Sequence, residues 1–151
     1  MPSKRHRINI RLVATPDKLT DRIRTQLNEL DAALFPEDAA YPKDGGYWWV
    51  AYMNHQPVAF AGLKPLSNPN KGMGFLCRAG VLKVSSGYGL QRRLIQIRVR
   101  KAKKIGLTQV ITYASRDNYR SAANLLRSGL RFYSPQNEWG VPGALYFHTI
   151  F

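Results

Sequence analysis

The sequence predicts a mixed α/β domain with a partly parallel central sheet flanked by helices. Three observations lead there. Segments with strand and helix periodicity follow one another in the order β-α-β-β-β-α-β-α-β-β, so some strands are joined by helical crossovers and others by turns. The chain has 151 residues, 44% of them apolar, which suits one core and a single domain over residues 1–151. It has one cysteine, Cys77, so neither an internal disulfide nor a cysteine-rich metal site stands in for that core.

Residues 7–14 alternate Ile8, Ile10 and Leu12 with polar side chains and read as a half-buried strand. Thr15 is the expected cap and Pro16 the first residue of a helix in which Leu19, Ile23, Leu27, Leu30 and Leu34 recur every three or four positions. It ends near Phe35-Pro36. Residues 36–46 hold two prolines, two glycines and the carboxylates Glu37, Asp38 and Asp44, the composition of an exposed loop. Tyr47–Met53, a turn at Asn54-His55 and residues 57–66 make an antiparallel hairpin. Residues 74–84 form an apolar, central strand interrupted by Arg78 and Lys83. An arginine there either faces a solvent-filled cleft or pairs with an anion or carboxylate.

A long helix runs from Leu90 to Gly106, with Leu90, Leu94, Ile97 and Ile105 on its apolar face and Arg92, Arg93, Arg98, Lys101 and Lys104 largely off it. Gln109–Ala114 is a strand. Asp117-Asn118 supplies the cap of a helix at 121–128, closed by Gly129, and strands at 131–133 and 145–151 finish the chain.

Charge is unevenly placed. The net charge is +14, and residues 45–116 contain twelve Lys and Arg and no acid, so they carry +12 of it. Something anionic is the expected partner. The apolar runs are far shorter than the roughly 20 residues of a membrane span. Asn9 and Arg11 interrupt the stretch that would have to follow Lys4, Arg5 and Arg7 in a signal peptide. A cytoplasmic protein with no membrane association is the expectation. His6, His55 and His148 have no paired ligand spacing, so no metal is expected. Trp48 and Trp49 face opposite sides of their strand; core or edge packing is the expectation for both, with a place lining an acceptor cleft as the alternative for one. Cys77 reads as a small buried apolar residue.

The strongest chemical signal is a strand, the turn Ser85-Ser86-Gly87-Tyr88-Gly89, and a basic helix. Glycines at 87 and 89 let successive N–H groups point outward, and the free N–H groups of the helix start add positive potential. A phosphate fits there. A nucleotide-triphosphate loop would need Lys and Ser or Thr after the second glycine, where Leu90-Gln91 stand. A dinucleotide fingerprint would need glycine at Arg92 and an acid about 20 residues on.

Val81-x-x-x-x-Ser86-Gly87-Tyr88-Gly89-Leu90-x-x-x-Leu94 resembles the acyl-coenzyme A motif of the GNAT (Gcn5-related N-acetyltransferase) superfamily, and Asp117-Asn118-x-x-Ser121-x-x-x-Leu125-x-x-x-Gly129-Leu130-Arg131 resembles that family's later Asn-x-x-Ala/Ser and Gly-Phe segment. The resemblance covers roughly residues 47–151. It implies an acetyl-CoA-dependent N-acetyltransferase that moves an acyl group directly to an amine, with acetyl-CoA as co-substrate. The pyrophosphate would lie on the N–H groups of Gly87, Tyr88, Gly89, Leu90, Gln91 and Arg92, with Ser86 also among the coenzyme-binding residues. The pantetheine would run along Val81, Leu82 and Lys83, where two parallel strands splay apart, flanked by Asn118 and Ser121.

Ser86 and Gln91 depart from the family's Arg/Gln and Gly/Ala, and Leu125 stands where many members place a tyrosine acid. Tyr113, Tyr119, Tyr133 and Tyr146 are the alternatives. The strand at 74–84 has no glutamate base, which leaves Glu37, Asp38, Asp44, Asp117 and Glu138. Asp117 is expected to cap its helix or pair with Arg78 or Arg116. The candidate catalytic set is Arg78, Asp117, Asn118, Glu37 and Asp38, in a monomer or homodimer. A second expectation comes from the basic surface: a nucleic-acid binder, or an acyltransferase-like enzyme acting on nucleic acid, similar at fold level to the Mom-type DNA-modification proteins of phages.

Overall fold

A computed structural model describes residues 7–151; Lys4, Arg5 and His6 lie outside the described residues. Seven strands are hydrogen-bonded in the order β1-β2-β3-β4-β5-β7-β6, numbered along the chain, in a mixed sheet accompanied by three α-helices among those residues. The chain divides into two compact units, one of the described residues up to Gly62 with Arg78–Leu90, the other of Leu63–Cys77 with Gln91–Phe151.

In the first unit β1 (Ile8–Ala14) pairs antiparallel with β2 (Tyr47–Met53), from Ile8 opposite Met53 to Leu12 opposite Trp49, with an irregularity before Ala14. Asn54 and His55 both take left-handed conformations (φ 50° and 69°), the two-residue turn whose twist suits a hairpin into β3 (Gln56–Pro65). Helix α1 (Asp21–Leu34) begins later than its sequence suggested. Thr15 and Lys18 exchange backbone hydrogen bonds of 3.0 and 3.1 Å, which closes Pro16-Asp17 into a turn. Thr20 is the cap, its Oγ1 accepting from the Ile23 N–H at 3.2 Å, with Asp21 in the first turn favoured by the helix dipole. Leu27 and Leu30 are buried in the core, as is Trp48, which stacks on Phe60 at 6.0 Å. Both Trp48 and Trp49 are buried, so neither lines an open cleft.

The strand β4 (Met73–Val81) is shorter than its apolar run, because Lys83–Ser85 turn into a single 3-10 turn. In the second unit it runs parallel to β5 (Gln109–Ala114), which pairs antiparallel with β7 (Leu145–Ile150), and β7 with β6 (Arg131–Phe132). Helix α2 (Leu90–Lys104) ends before Gly106 (φ +85°), and α3 (Tyr119–Arg127) before Gly129 (φ +96°). Helix α3 starts two residues before its expected bound because Asn118 alone is the cap. One charge is misplaced by the helical pattern: Arg98 is 3% exposed, in the core with Leu94, Ile95 and Ala102.

Candidate functional site

Gly87 and Gly89 follow the 3-10 turn with φ of +86° and +69°, and a Cβ built on either meets nothing within 4 Å. Backbone freedom, not crowding, makes glycine necessary here. The open space is what an anion needs to reach the backbone N–H groups at the start of α2. Arg92 and Arg93 are exposed in that helix's first turn. The turn is anchored from behind: buried Ser85 donates its hydroxyl to the Leu82 carbonyl at 2.9 Å, and the Leu82 N–H donates to the Val58 carbonyl at 2.8 Å. Leu82 therefore has its backbone groups committed, while Ser86 Oγ donates to the Lys83 carbonyl at 2.8 Å.

The β4 and β5 backbones pair from Met73–Gln109 to Phe75–Ile111, and beyond that side chains take over. Thr112 Oγ1 donates to the Leu76 carbonyl at 2.8 Å, and Arg98 Nη1 to the Cys77 carbonyl at 3.2 Å, with Arg98 Nε on the Leu94 carbonyl at 3.0 Å. Strand carbonyls taken by side chains mark where the two strands part company. Burial lowers the Arg98 pKa to about 10, which leaves the guanidinium charged at neutral pH.

Within the first unit, Arg78 resolves the sequence's two alternatives by pairing with carboxylates. Its Nη1 donates to Asp31 Oδ1 at 2.7 Å and its Nη2 to Asp38 Oδ2 at 3.3 Å, over the Phe35 ring at 4.5 Å. Asp31 is fully buried and also accepts from Lys43 Nζ at 2.7 Å and the Tyr41 N–H at 3.0 Å. Lys43, 2% exposed, donates further to Asn28 Oδ1 and the Tyr41 carbonyl. Burial pushes the Asp31 carboxyl up, but the bonds from Lys43, Arg78 and Tyr41 outweigh it and hold the group below its ordinary range. Asp31 is thus an ionised anchor for residues 35–46.

Among the other predicted residues, Glu37 and Asp117 are exposed and Asp38 is bound to Arg78. Asp117 pairs with neither Arg78 nor Arg116, whose Nε donates to the Gly143 carbonyl at 3.2 Å. Asn118 Oδ1 accepts from the Ser121 N–H at 3.2 Å, so its amide hydrogens and the Ser121 hydroxyl are the groups left for a ligand. Tyr119 is 78% exposed and Tyr113 packs within an aromatic cluster.

A family model described as acetyltransferase (GNAT) family matches residues 16–130. The chain belongs to the GNAT family. No curated protein matches it by sequence. By structure, it is similar to a Bacillus subtilis acetyltransferase solved in complex with CoA (TM-score 0.67, 14% identity, 97% of this chain and 99% of that one). It is similar also to the ribosomal-protein-alanine N-acetyltransferase of Brucella melitensis (0.70, 18%, 95% and 99%). A third is yncA of Salmonella typhimurium with its cofactor acetyl-CoA (0.69, 15%, 95% and 94%). At these identities the likeness speaks for the GNAT fold.

In this GNAT chain several positioning residues escaped sequence reasoning. Asp31 had a signal, an acid one turn from Leu27 on the apolar face of α1. Lys43, Ser85 and Thr112 had none, since each looks like an ordinary polar residue until its partners are known.

Proposed function

We propose that this GNAT chain transfers an acetyl group from acetyl-CoA directly to an amine. What supports this most is the turn itself: two left-handed glycines with open space over them, at the entry of a helix whose first turn carries two exposed arginines. The coenzyme supplies an activated thioester: the amine nitrogen bonds the acyl carbon, the C–S bond breaks, and the proton lost by nitrogen is balanced by the one sulfur gains. The N–H groups from Gly87 to Arg92 hold the pyrophosphate, each contact contributing about 0.3–1 kcal/mol, and Arg92 and Arg93 add charge-assisted bonds; the Ser86 N–H is held by the Lys83 carbonyl at 3.1 Å. Val81 and Lys83 lie along the pantetheine. Leu82 contributes its side chain, its backbone being engaged. Of the four tyrosines considered as acid, Tyr146 has its hydroxyl engaged by the Trp139 backbone, which leaves Tyr113, Tyr119 and Tyr133. Arg78 acts by positioning residues 35–46 and holds Asp38 there; Glu37, Asp38 and Glu138 stand as alternative candidates to take the proton. The buried Cys77 suits the reducing cytoplasm.

Calorimetric titration with acetyl-CoA, with free CoA and ATP as controls, tests this. Coenzyme-selective binding that Gly89→Glu abolishes is the expected result; unchanged affinity in a folded Gly89→Glu protein overturns it.

A second reading has its own support. Helix α2 presents exposed Arg92, Arg93, Arg100, Lys103 and Lys104, more charge than one coenzyme requires. A nucleic acid as partner or acceptor predicts log affinity falling linearly and steeply with log salt; a flat response excludes it.

A further inference from the structure

The second unit contains a cavity of about 590 Å³, all of whose walls come from that unit. Its floor is set by the sheet. Phe75 pairs with Ile111 and Tyr113 with Tyr146, so these side chains share one face. Residues 133–144, between β6 and β7, fold against that face. Two contacts clamp them. Tyr146 accepts from the Trp139 N–H at 2.9 Å and donates its hydroxyl to the Trp139 carbonyl. Gly140, φ +77°, comes so close to Tyr113 that a Cβ would lie 2.9 Å from the ring.

This clamp sets the rings at fixed angles. Phe75 and Tyr113 lie nearly parallel (6.2 Å, 14°), and Trp139 stands perpendicular to both, at 5.4 Å and 85° from Phe75 and 5.3 Å and 88° from Tyr113. Phe75, Ile111, Tyr133 and Trp139 all line the cavity. Its polar lining is amide, Asn70, Gln136 and Asn137, with one charged group, Glu138. An acid as sole charge is notable in a chain of +14. Phe75–Ile111 is also the last backbone-paired position of β4 and β5, so the cavity opens at the point where those strands part.

We propose that this cavity receives a planar aromatic amine as the acyl acceptor, an inference that rests on the acyl-transfer reading above. Flat and perpendicular aromatic walls suit a flat ring, which gains stacking and edge contacts that a saturated ring cannot match. Its exocyclic N–H groups find acceptors in Glu138 and the amide oxygens of Gln136 and Asn137. An aromatic amine is uncharged at neutral pH, so its lone pair is ready for attack without a base to remove a first proton. As the N–C bond forms and the C–S bond breaks, the nitrogen's proton passes to Glu138 or water, and the leaving sulfur takes one from Tyr133, which lines the cavity, or from solvent.

Trp139 makes binding observable apart from catalysis, since Trp48 and Trp49 are buried in the other unit. The full chain, labelled with nitrogen-15 and free of coenzyme, is titrated with 4-methylaniline and, as saturated control, 4-methylcyclohexylamine. The Trp139 indole N–H resonance, assigned with Trp139→Phe, is expected to shift saturably with the aniline alone. Phe75→Leu should weaken that binding about tenfold and lower kcat/KM for the aniline by a similar factor, with acetyl-CoA affinity unchanged. No saturable shift, equal response to both amines, or an unaffected Phe75→Leu protein overturns the proposal. Should Phe75→Leu not fold, Glu138→Gln provides the second variant, expected to lower kcat/KM for the aniline and not acetyl-CoA affinity; an unchanged kcat/KM counts against the proposal. Aniline binding in a chain that does not bind acetyl-CoA removes the acyl-transfer reading and leaves the cavity's ligand class standing.

Discussion

Residues 35–46 and residues 133–144 are both loops, and they are held by opposite means. The first is tied down by charge: Asp31, buried, accepts from Lys43 and Arg78, and the Trp48 Nε1–H donates to the Lys43 carbonyl at 2.8 Å. The second is held by rings, with Trp139, Tyr113, Phe75 and Tyr146 in mutual contact and Gly140 pressed on Tyr113. Ion pairs in a dry site are costly to break from one side, because the surviving charges stay buried. Ring contacts are weaker individually but lose nothing with protonation. The difference teaches that one loop depends on pH near the acid limit and the other on shape.

Removing Asp31 is the severest way to test that contrast. Asp31→Ala leaves Lys43 buried without its carboxylate and should cost about 3–5 kcal/mol, read as a fall in the midpoint of urea unfolding. Acid should imitate it. Because the Asp31 pKa is lowered from the ordinary carboxylate value, its contribution is complete above that ordinary value and disappears as pH falls through the folded pKa. Tm measured from pH 7 down to pH 2 should drop in this window, less steeply in Asp31→Asn. Tyr133 carries the opposite sign: its raised phenol pKa means that folded-state preference for the proton is lost only above pH 10. Its ring resonance should hold steady through the acid range.

Gly140→Ala tests the ring-held loop. The added methyl meets Tyr113 at 2.9 Å in a left-handed backbone position, so about 1–3 kcal/mol of stability should be lost with Asp31 pairing intact. Tyr146→Phe deletes one hydroxyl that bridges Trp139 and should cost about 0.5–1.5 kcal/mol. The smallest effect belongs to Arg24→Ala. Arg24 and Asp44 pair at 2.8 Å near the charged loop, but both are solvated, and thermal unfolding should not change measurably.

Much of the fold was legible in the chain itself. The hairpin at Asn54-His55, the glycine exits of α2 and α3, and Gln109–Ala114 all follow from local periodicity and left-handed residues. The start of α1 was not, because Thr15-Pro16 and Thr20-Asp21 are both good caps and only the Thr15–Lys18 turn separates them. The glycine turn at the entry of α2 was visible from composition and spacing. Its anchor Ser85 was not, nor was the buried Arg98 that holds the Cys77 carbonyl of β4, since helical patterning assigns a charged residue such as Arg98 to the surface.

By itself, then, the sequence determined the order of elements, the family-like turn at Gly87 and Gly89, and the acid-free basic middle of the chain. Those are short-range properties, set by each residue's φ and ψ preferences and its neighbours within a turn or two. Only the tertiary structure decided which charges are buried and which rings meet. Asp31 and Arg78 stand 47 residues apart, and Phe75 and Trp139 come from β4 and the β6–β7 loop. A charge is stable in the interior, and an aromatic wall is formed, only when the long-range fold brings the partner, which no local pattern encodes.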